Sequence, residues 1–435
     1  MVLILVGLNH KTATIDLREK IAFNNEDIER IIKKRNKDIV KEELIISTCN
    51  RTEFYGYVKD INYYYNYLNE LIKDYKDVDI KIPGNNFYIY KNIDVVKHLF
   101  EVASGIDSMI IGENQILGQI KAAYTVSIKA GGCSKVFNKL FHKAFEVGKK
   151  VRTETEISKG GVSISGAAVE LLHDIFDNLE KPRILLVGLG ETGTLVGQAL
   201  IKKGVKKFWV SNRTASVSRR LASGIGIEKD IKIISFGDVV KSFKDFDVVI
   251  SSTGADSYIF EWDNIKKVLS KIKKDITLID LSVPRSFDPR IGKIKNVKLY
   301  SIDDLKVIGQ KNQNKRKGEI IKAKKIIHEY VADFESWYGF KTAIPIIDAL
   351  KEKIEKLRKE ELEKNKSQFD DVIFEKIDRL TRSMVKKILK EPLLNLKLLN
   401  FESEEGLKKL ELIKELFSLN GVIVDDRNQN WFKKR

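Results

Sequence analysis

At 435 residues the chain is too long for a single core and long enough for two or three domains. Hydrophobic residues at 43% and charged residues at 32% exclude a disordered chain, and no apolar run approaches the roughly 20 residues a membrane helix needs. The net charge of +17 is spread along the chain, which fits either lysine-rich solvated helices or a folded basic surface for nucleic acid. Cys49 and Cys133 lack paired spacing, which argues against a disulfide framework and a zinc cluster. Met1 to Leu8 reads as a strand rather than a leader, so the cytoplasm is the expected location.

In chain order, Val2 to Leu8, Glu42 to Thr48, Glu53 to Val58 and Phe87 to Tyr90 read as strands, with helices at Glu26 to Arg35 and Asn62 to Tyr75. Cys49 then stands at a strand end, directly before Asn50 and Arg51. An ordinary thiol is only roughly 3% ionised at neutral pH. Arg51 and the N–H groups of a turn are expected to raise that fraction; a buried structural cysteine is the competing reading. From Asp94 to Thr155 the pattern is helical, broken at Gly105 and at Gly131-Gly132. Between Ser104 and Gln119 the polar residues Ser108, Glu113, Asn114, Gln115 and Gln119 crowd a loop and helix start. They suit either a polar ligand or a simple helix cap.

A second α/β unit is expected from Gly160-Gly161, with strands at Arg183 to Val187, Lys207 to Val210, Asp247 to Ser252 and Ile276 to Leu281 alternating with helices. Between the first strand and its helix lies Gly188-Leu189-Gly190-Glu191-Thr192-Gly193. That placement reads as a dinucleotide loop: a tight turn, close approach to a pyrophosphate, and close helix–strand packing. At the end of the next strand stand Ser211, Asn212 and Arg213, where an NAD site usually has a carboxylate. Those donors suit a 2′-phosphate, so NADPH is expected.

Beyond Ser301, apolar residues at helical spacing predict one helix over Asp303 to Tyr338, with Ser301 and Asp304 resembling a capping box. Pro345 is expected to separate it from further amphipathic helices through Leu350 and Leu357 and through Val372 to Ile388. Such stripes point to a dimerisation domain, or to a self-contained bundle. Asp425 to Arg435 reads as a polar tail.

Several blocks resemble the glutamyl-tRNA reductase family: Gly7-Leu8-Asn9-His10-Lys11-Thr12-Ala13, Ser47-Thr48-Cys49-Asn50-Arg51-Thr52-Glu53, Ala103 to Ser108 running into Gly112 to Gln119, Arg152 to Thr155, the glycine loop, and Asp280 to Arg285. Asn114 departs from the proline common in its block. The resemblance implies NADPH-dependent reduction of the glutamyl group of glutamyl-tRNA to glutamate-1-semialdehyde, the entry to tetrapyrrole synthesis from glutamate. It implies an α/β plus all-α fold: a catalytic α+β domain with a helical half (1–155), a Rossmann-type NADPH domain (156–303), a long linking helix with a helical dimerisation domain (304–421), and a tail (422–435). It further implies a V-shaped homodimer and an aminomutase that takes the aldehyde. Cys49 is then the nucleophile and His98 an acid. Thr48, Asn50, Arg51, Ser108, Glu113, Asn114, Gln115 and Gln119 hold the glutamyl end. Because the thiol and the cofactor lie on different domains, the dinucleotide domain is expected to swing about residues 155–160 and 300–304. The competing enzyme reading is an NADP-dependent dehydrogenase of a small acyl or semialdehyde substrate; a non-enzyme reading is an NADPH-regulated RNA-binding scaffold with an inert Cys49.

Overall fold

A computed structural model describes residues 1–113, 115–158, 164–214, 231–255, 257–305, 317–398 and 404–419. The chain separates into two compact units, Leu3–Ile327 and His328–Arg435 together with Met1–Val2.

The larger unit opens with β1 (Val2–Asn9), α1 (Ile15–Lys20), α2 (Asn25–Lys34), β2 (Val40–Ser47), β3 (Arg51–Val58), α3 (Ile61–Lys76) and β4 (Tyr88–Lys91). The sheet order is β2-β3-β1-β4. β2 and β3 form an antiparallel hairpin in which Ser47 faces Thr52, so the turn between them carries Thr48, Cys49 and Asn50. Ile28, Ile31 and Ile32 of α2 and Tyr64, Leu68 and Ile72 of α3 recur at helical spacing and close over Ile4, Val6, Ile45 and Phe54 of the strands. The six-residue α1 is too short to leave a periodic signal in the sequence; Thr14 caps it by accepting from the Leu17 N–H.

Three helices follow, α4 (Ile93–Ala103), α5 (Gln115–Lys129) and α6 (Lys135–Glu154), interrupted at the glycines where the sequence predicts breaks. The start of α6 is capped from outside. Ser134 makes no side-chain cap, while Glu42 of β2 accepts from the N–H groups of Ser134, Val136 and Phe137 at 2.8, 3.0 and 2.8 Å. A buried carboxylate at the positive end of a helix satisfies three orphan donors and pins the helical half to the sheet.

The dinucleotide-type part comprises α7 (Ile164–Ile175), β5 (Ile184–Val187), α8 (Glu191–Lys202), β6 (Phe208–Ser211), β7 (Ile231–Ile233), β8 (Val248–Ser251), α9 (Trp262–Leu269), β9 (Ile276–Asp280) and β10 (Val297–Ser301). Its strands run parallel in the order β10-β9-β8-β5-β6-β7. β5 therefore sits where the order reverses, and its carboxyl end faces the crevice that binds ligands in such sheets. Both faces are covered: Ile184 and Leu186 enter one apolar cluster, Leu185 and Val187 the other. That double burial explains the unbroken apolar run at β5. β7 and β10 escaped the sequence reading because they are edge strands, Ile-Lys-Ile and Val-Lys-Leu-Tyr-Ser, with lysines breaking the run.

The second unit is helical. The long helix α10 (Lys317–Lys364) begins in the larger unit, and α11 (Asp371–Leu398) and α12 (Glu404–Leu416) complete the smaller one. Residues 306–316, and with them most of the first turns of the expected helix from Asp303, lie outside the described residues, as does the polar tail. Asp304 accepts from the Ser301 N–H at 2.7 Å, one half of a capping box, while the Ser301 hydroxyl donates to the same carboxylate at 2.8 Å instead of accepting from the Asp304 N–H. Pro345 does not end a helix, contrary to expectation; it lies inside α10. A proline interior to a helix costs about 3 kcal/mol. Burial of Ile346, Ile347 and Leu350 against Leu389, Leu396 and Leu410 offsets that penalty. Val372, Ile373, Leu380, Met384 and Ile388 of α11 are exposed. Among the described residues no helix is long and apolar enough to cross a membrane.

Replacing Glu42 with alanine should destabilise the protein by about 2–3 kcal/mol, because three N–H groups, two of them buried, lose their acceptor. Thermal unfolding of the full chain measures it; an unfolding midpoint unchanged within a degree or so would refute the capping role.

Candidate active site

The hairpin turn is a compact polar structure. Thr48 Oγ1 accepts from the N–H groups of Asn50 and Arg51, both at 3.2 Å, and the Thr48 N–H donates to the Arg51 carbonyl at 2.8 Å. Residues of this type bend a chain through their own side chains, which leaves Cys49 at the apex. The half-buried Cys49 packs against an apolar cluster that includes Met109 and Ile110 as well as Leu189 and Leu281 of the dinucleotide part. Burial pushes its thiol up to about 12, with Glu113 and Asp303 raising it further and Arg18 opposing them.

Arg51 does not play the part its sequence position suggests. Its Nη1 donates to Glu53 Oε1 at 2.7 Å, and both terminal nitrogens reach Asp107 Oδ2 at 3.3 Å. The cation behind the thiol is Arg18, from α1. Its Nη1 donates to the Cys49 carbonyl at 3.2 Å and Asn50 Oδ1 at 3.3 Å. Thirty-one positions separate Arg18 from Cys49, and only the fold brings them together.

Glu53, fully buried, gathers the other polar groups. Besides Arg51, Oε1 meets His98 Nε2 at 2.8 Å and accepts from the Tyr88 hydroxyl at 2.6 Å, while Oε2 accepts from Tyr55 at 2.7 Å. Burial opposes the charge, yet Arg51 and His98 hold the Glu53 carboxyl well below the usual range. His98 lies against the rings of Tyr90 and Tyr88, with centroids 4.9 and 5.3 Å away. Every residue of β3 is buried, so no alternation of burial singles out Glu53; it shares a strand face with Arg51 and Tyr55.

Of the polar loop, Ser108 is buried, and its hydroxyl has no hydrogen-bond partner among the described residues. Glu113 is buried too, and burial pushes its carboxyl up to about 7, with Arg51 lowering it and Glu191 at the start of α8 raising it. Gln115 and Gln119 are half-buried on the first turns of α5. Asn114 lies outside the described residues.

The glycine loop has the shape a dinucleotide needs. Gly188 has φ +88°, and a Cβ there would lie 2.2 Å from the Ser252 carbonyl oxygen. At Gly193 a Cβ would strike the Gly188 carbonyl oxygen at 2.1 Å, whereas the side-chain direction of Gly190 is open for 4 Å. Gly190 caps α8 with no side-chain bond to the first N–H groups, which leaves Leu189, Glu191 and Thr192 framing a helix start open to an anion. Beside it, at the end of β6, Ser211 is buried with its hydroxyl unpartnered among the described residues, Asn212 is half-buried and Arg213 exposed. These residues fit a dinucleotide. Cys49 packs against the same apolar cluster to which Leu189 of the glycine loop belongs.

Because the native pKa of Glu113 lies above its ordinary 4.5, folding stability from this group falls as pH rises from 4.5 to about 7. Its charge also opposes ionisation of Cys49. Glu113→Gln should therefore move the midpoint of Cys49 alkylation against pH downward by about half a unit to one unit. A midpoint that stays put or rises would refute the coupling.

Three family descriptions match the chain: glutamyl-tRNAGlu reductase, N-terminal domain, over residues 6–155; shikimate / quinate 5-dehydrogenase over 170–308; and glutamyl-tRNAGlu reductase, dimerisation domain, over 322–419. A glutamyl-tRNA reductase of Thermodesulfovibrio yellowstonii is 39% identical over 91% of this chain and 94% of its own length. Another, of Natranaerobius thermophilus, is 35% identical over 98% and 93%. Among solved structures, glutamyl-tRNA reductase from Methanopyrus kandleri is similar with a TM-score of 0.50 at 28% identity, covering 96% of this chain and 99% of that one. With this agreement over nearly its full length, the chain belongs to the glutamyl-tRNA reductase family.

Proposed function

We propose that this protein reduces the glutamyl group of glutamyl-tRNA to glutamate-1-semialdehyde with NADPH, through a thioester on Cys49, as the first committed step of tetrapyrrole synthesis from glutamate. The observation that carries the reading is that Cys49 packs against the apolar cluster to which Leu189 of the glycine loop and Leu281 belong, while Arg18 joins the Cys49 turn to Asp303 of the dinucleotide part.

In the first half of the reaction, Cys49 Sγ attacks the ester carbonyl carbon. A C–S bond forms, the C–O bond to the ribose breaks, and the thiol proton leaves on the ribose oxygen. His98, oriented by Glu53, relays that proton. Arg51 receives a carboxylate of the glutamyl group in the place Asp107 now holds, and Asp107 keeps its ion pair with Lys11. Ser108, Gln115 and Gln119 supply the remaining polar contacts, joined by Asn50, Glu113 and Asn114. When bound, NADPH supplies the hydride that reduces the thioester carbon to the aldehyde. Gly188, Gly190 and Gly193 hold its pyrophosphate, Glu191 and Thr192 begin the helix beneath it, and Ser211, Asn212 and Arg213 take the 2′-phosphate. As the C–S bond breaks, the sulfur leaves as thiolate and takes a proton from solvent, which returns Cys49 to its starting state.

Residues 304–421 form the homodimer in this reading, with the exposed apolar face of α11 as contact surface. The excess positive charge attracts tRNA, the protein acts in the cytoplasm, and the aldehyde passes to an aminomutase.

Without NADPH, glutamyl-tRNA should acylate the wild-type protein in a form visible by intact mass, and Cys49→Ser should form no such thioester. A serine variant with near wild-type reductase activity would end the covalent scheme. For the cofactor, Arg213→Asp should lose the preference for NADPH over NADH; an unchanged ratio of kcat/KM values would remove Arg213 from the 2′-phosphate site.

A further inference from the structure

The short helix α1 faces the dinucleotide part with three charged side chains, and each finds an opposite charge there. Arg18 Nη2 donates to both oxygens of Asp303, at 2.7 and 2.6 Å, just beyond β10. Glu19 accepts from the Arg285 N–H and Nε at 2.6 and 2.8 Å and from its Nη2 at 3.0 Å, and Asp16 also pairs with that guanidinium. One contact places a cation on α1 opposite an anion, the other reverses the signs, so a shifted docking register would bring like charges together. Arg18 is 2% exposed, and its fork is divided: one nitrogen on the thiol turn, the other on the dinucleotide part.

We propose that Arg18 is a positioning residue that couples docking of the dinucleotide part, through Asp303, to the state of the Cys49 turn, so that the undocked protein is acylated and the docked protein carries out the reduction. The proposal rests on the thioester reading above. Its physical basis is the sharing of one guanidinium. With Asp303 in place, half of the fork is committed to a carboxylate, and a negative charge stands near the thiol. When the dinucleotide part leaves, Asp303 leaves with it, and the full charge of Arg18 remains behind the Cys49 carbonyl, where it favours the thiolate. The other charged group facing the thiol, Glu113, belongs to the loop before α5 and opposes ionisation in either state. Attack on the ester needs the thiolate, whereas reduction of a finished thioester does not. Docking therefore suppresses the first step and assembles the second.

The test separates the half-reactions in the full-length protein. Asp303→Asn should form the acyl-enzyme at least as fast as wild type without NADPH. It should slow reduction of the preformed acyl-enzyme by at least about tenfold, with NADPH affinity unchanged, because a buried guanidinium loses its partner. Its Cys49 alkylation midpoint, read with no substrate or cofactor present, should fall to lower pH. Arg285→Ala, which undocks without touching Arg18, should give the same three changes, and Asp303→Glu should restore rapid reduction. Equal slowing of both half-reactions, or wild-type behaviour in both, would overturn the proposal. Failure of the wild-type protein itself to form an acyl-enzyme would count against the functional reading instead. The alkylation midpoint would then still decide for Arg18: unmoved in both Asp303→Asn and Arg285→Ala, it overturns the coupling.

Discussion

A carboxylate with no exposed surface, Glu53, sits between Arg51, His98, Tyr88 and Tyr55, and the geometry of the thiol domain follows from it. Burying an ion pair is unfavourable unless nearly every lone pair and proton finds a partner. Here both oxygens are used, so the four partners are fixed in place rather than merely close. They come from β3, β4 and α4, and Arg51 extends the network to Asp107 at the edge of the polar loop. The turn that begins at Thr48 is thereby set in register with Ser108 and Glu113. Loss of the Glu53 charge would release Arg51 and His98 together, which is why neither can be understood alone.

The thiol lives under the opposite regime. Burial and two nearby carboxylates keep Cys49 protonated in the arrangement described, and one cation opposes them. A resting thiol held in this way is protected from oxidation and adventitious acylation. It also means that reactivity has to be switched on by a change in its surroundings. The dinucleotide part contributes one of the two carboxylates and half of the grip on the cation, so its position is the natural variable. Domain arrangement and thiol chemistry are coupled through a single guanidinium.

The elements that sequence revealed were those whose signal is local. The apolar run at β5 followed by Gly188-Leu189-Gly190, and the glycine breaks at 105 and 131, each carry their own pattern. Cys49 could be placed at a strand end for the same reason. What escaped reading was non-local. Arg18 looks like an ordinary helix-surface charge until α1 folds against residues thirty-one positions away and Asp303 arrives from the far end of the unit. Arg51 is next to Cys49 in sequence, yet within β3 it shares a face with Glu53, and its guanidinium pairs there. Pro345 looks like a helix stop because helix propensity is local, and the burial that overrides it is not.

In this reading a half-buried thiol and a dinucleotide fold act together on an acyl group delivered by tRNA. It is tested most directly by following NADPH absorbance with glutamyl-tRNA, free glutamate and uncharged tRNA as parallel substrates. Oxidation is expected with glutamyl-tRNA alone, and is lost once Cys49 is alkylated. Oxidation supported by a small acyl compound or free acid but not by the charged tRNA would contradict it.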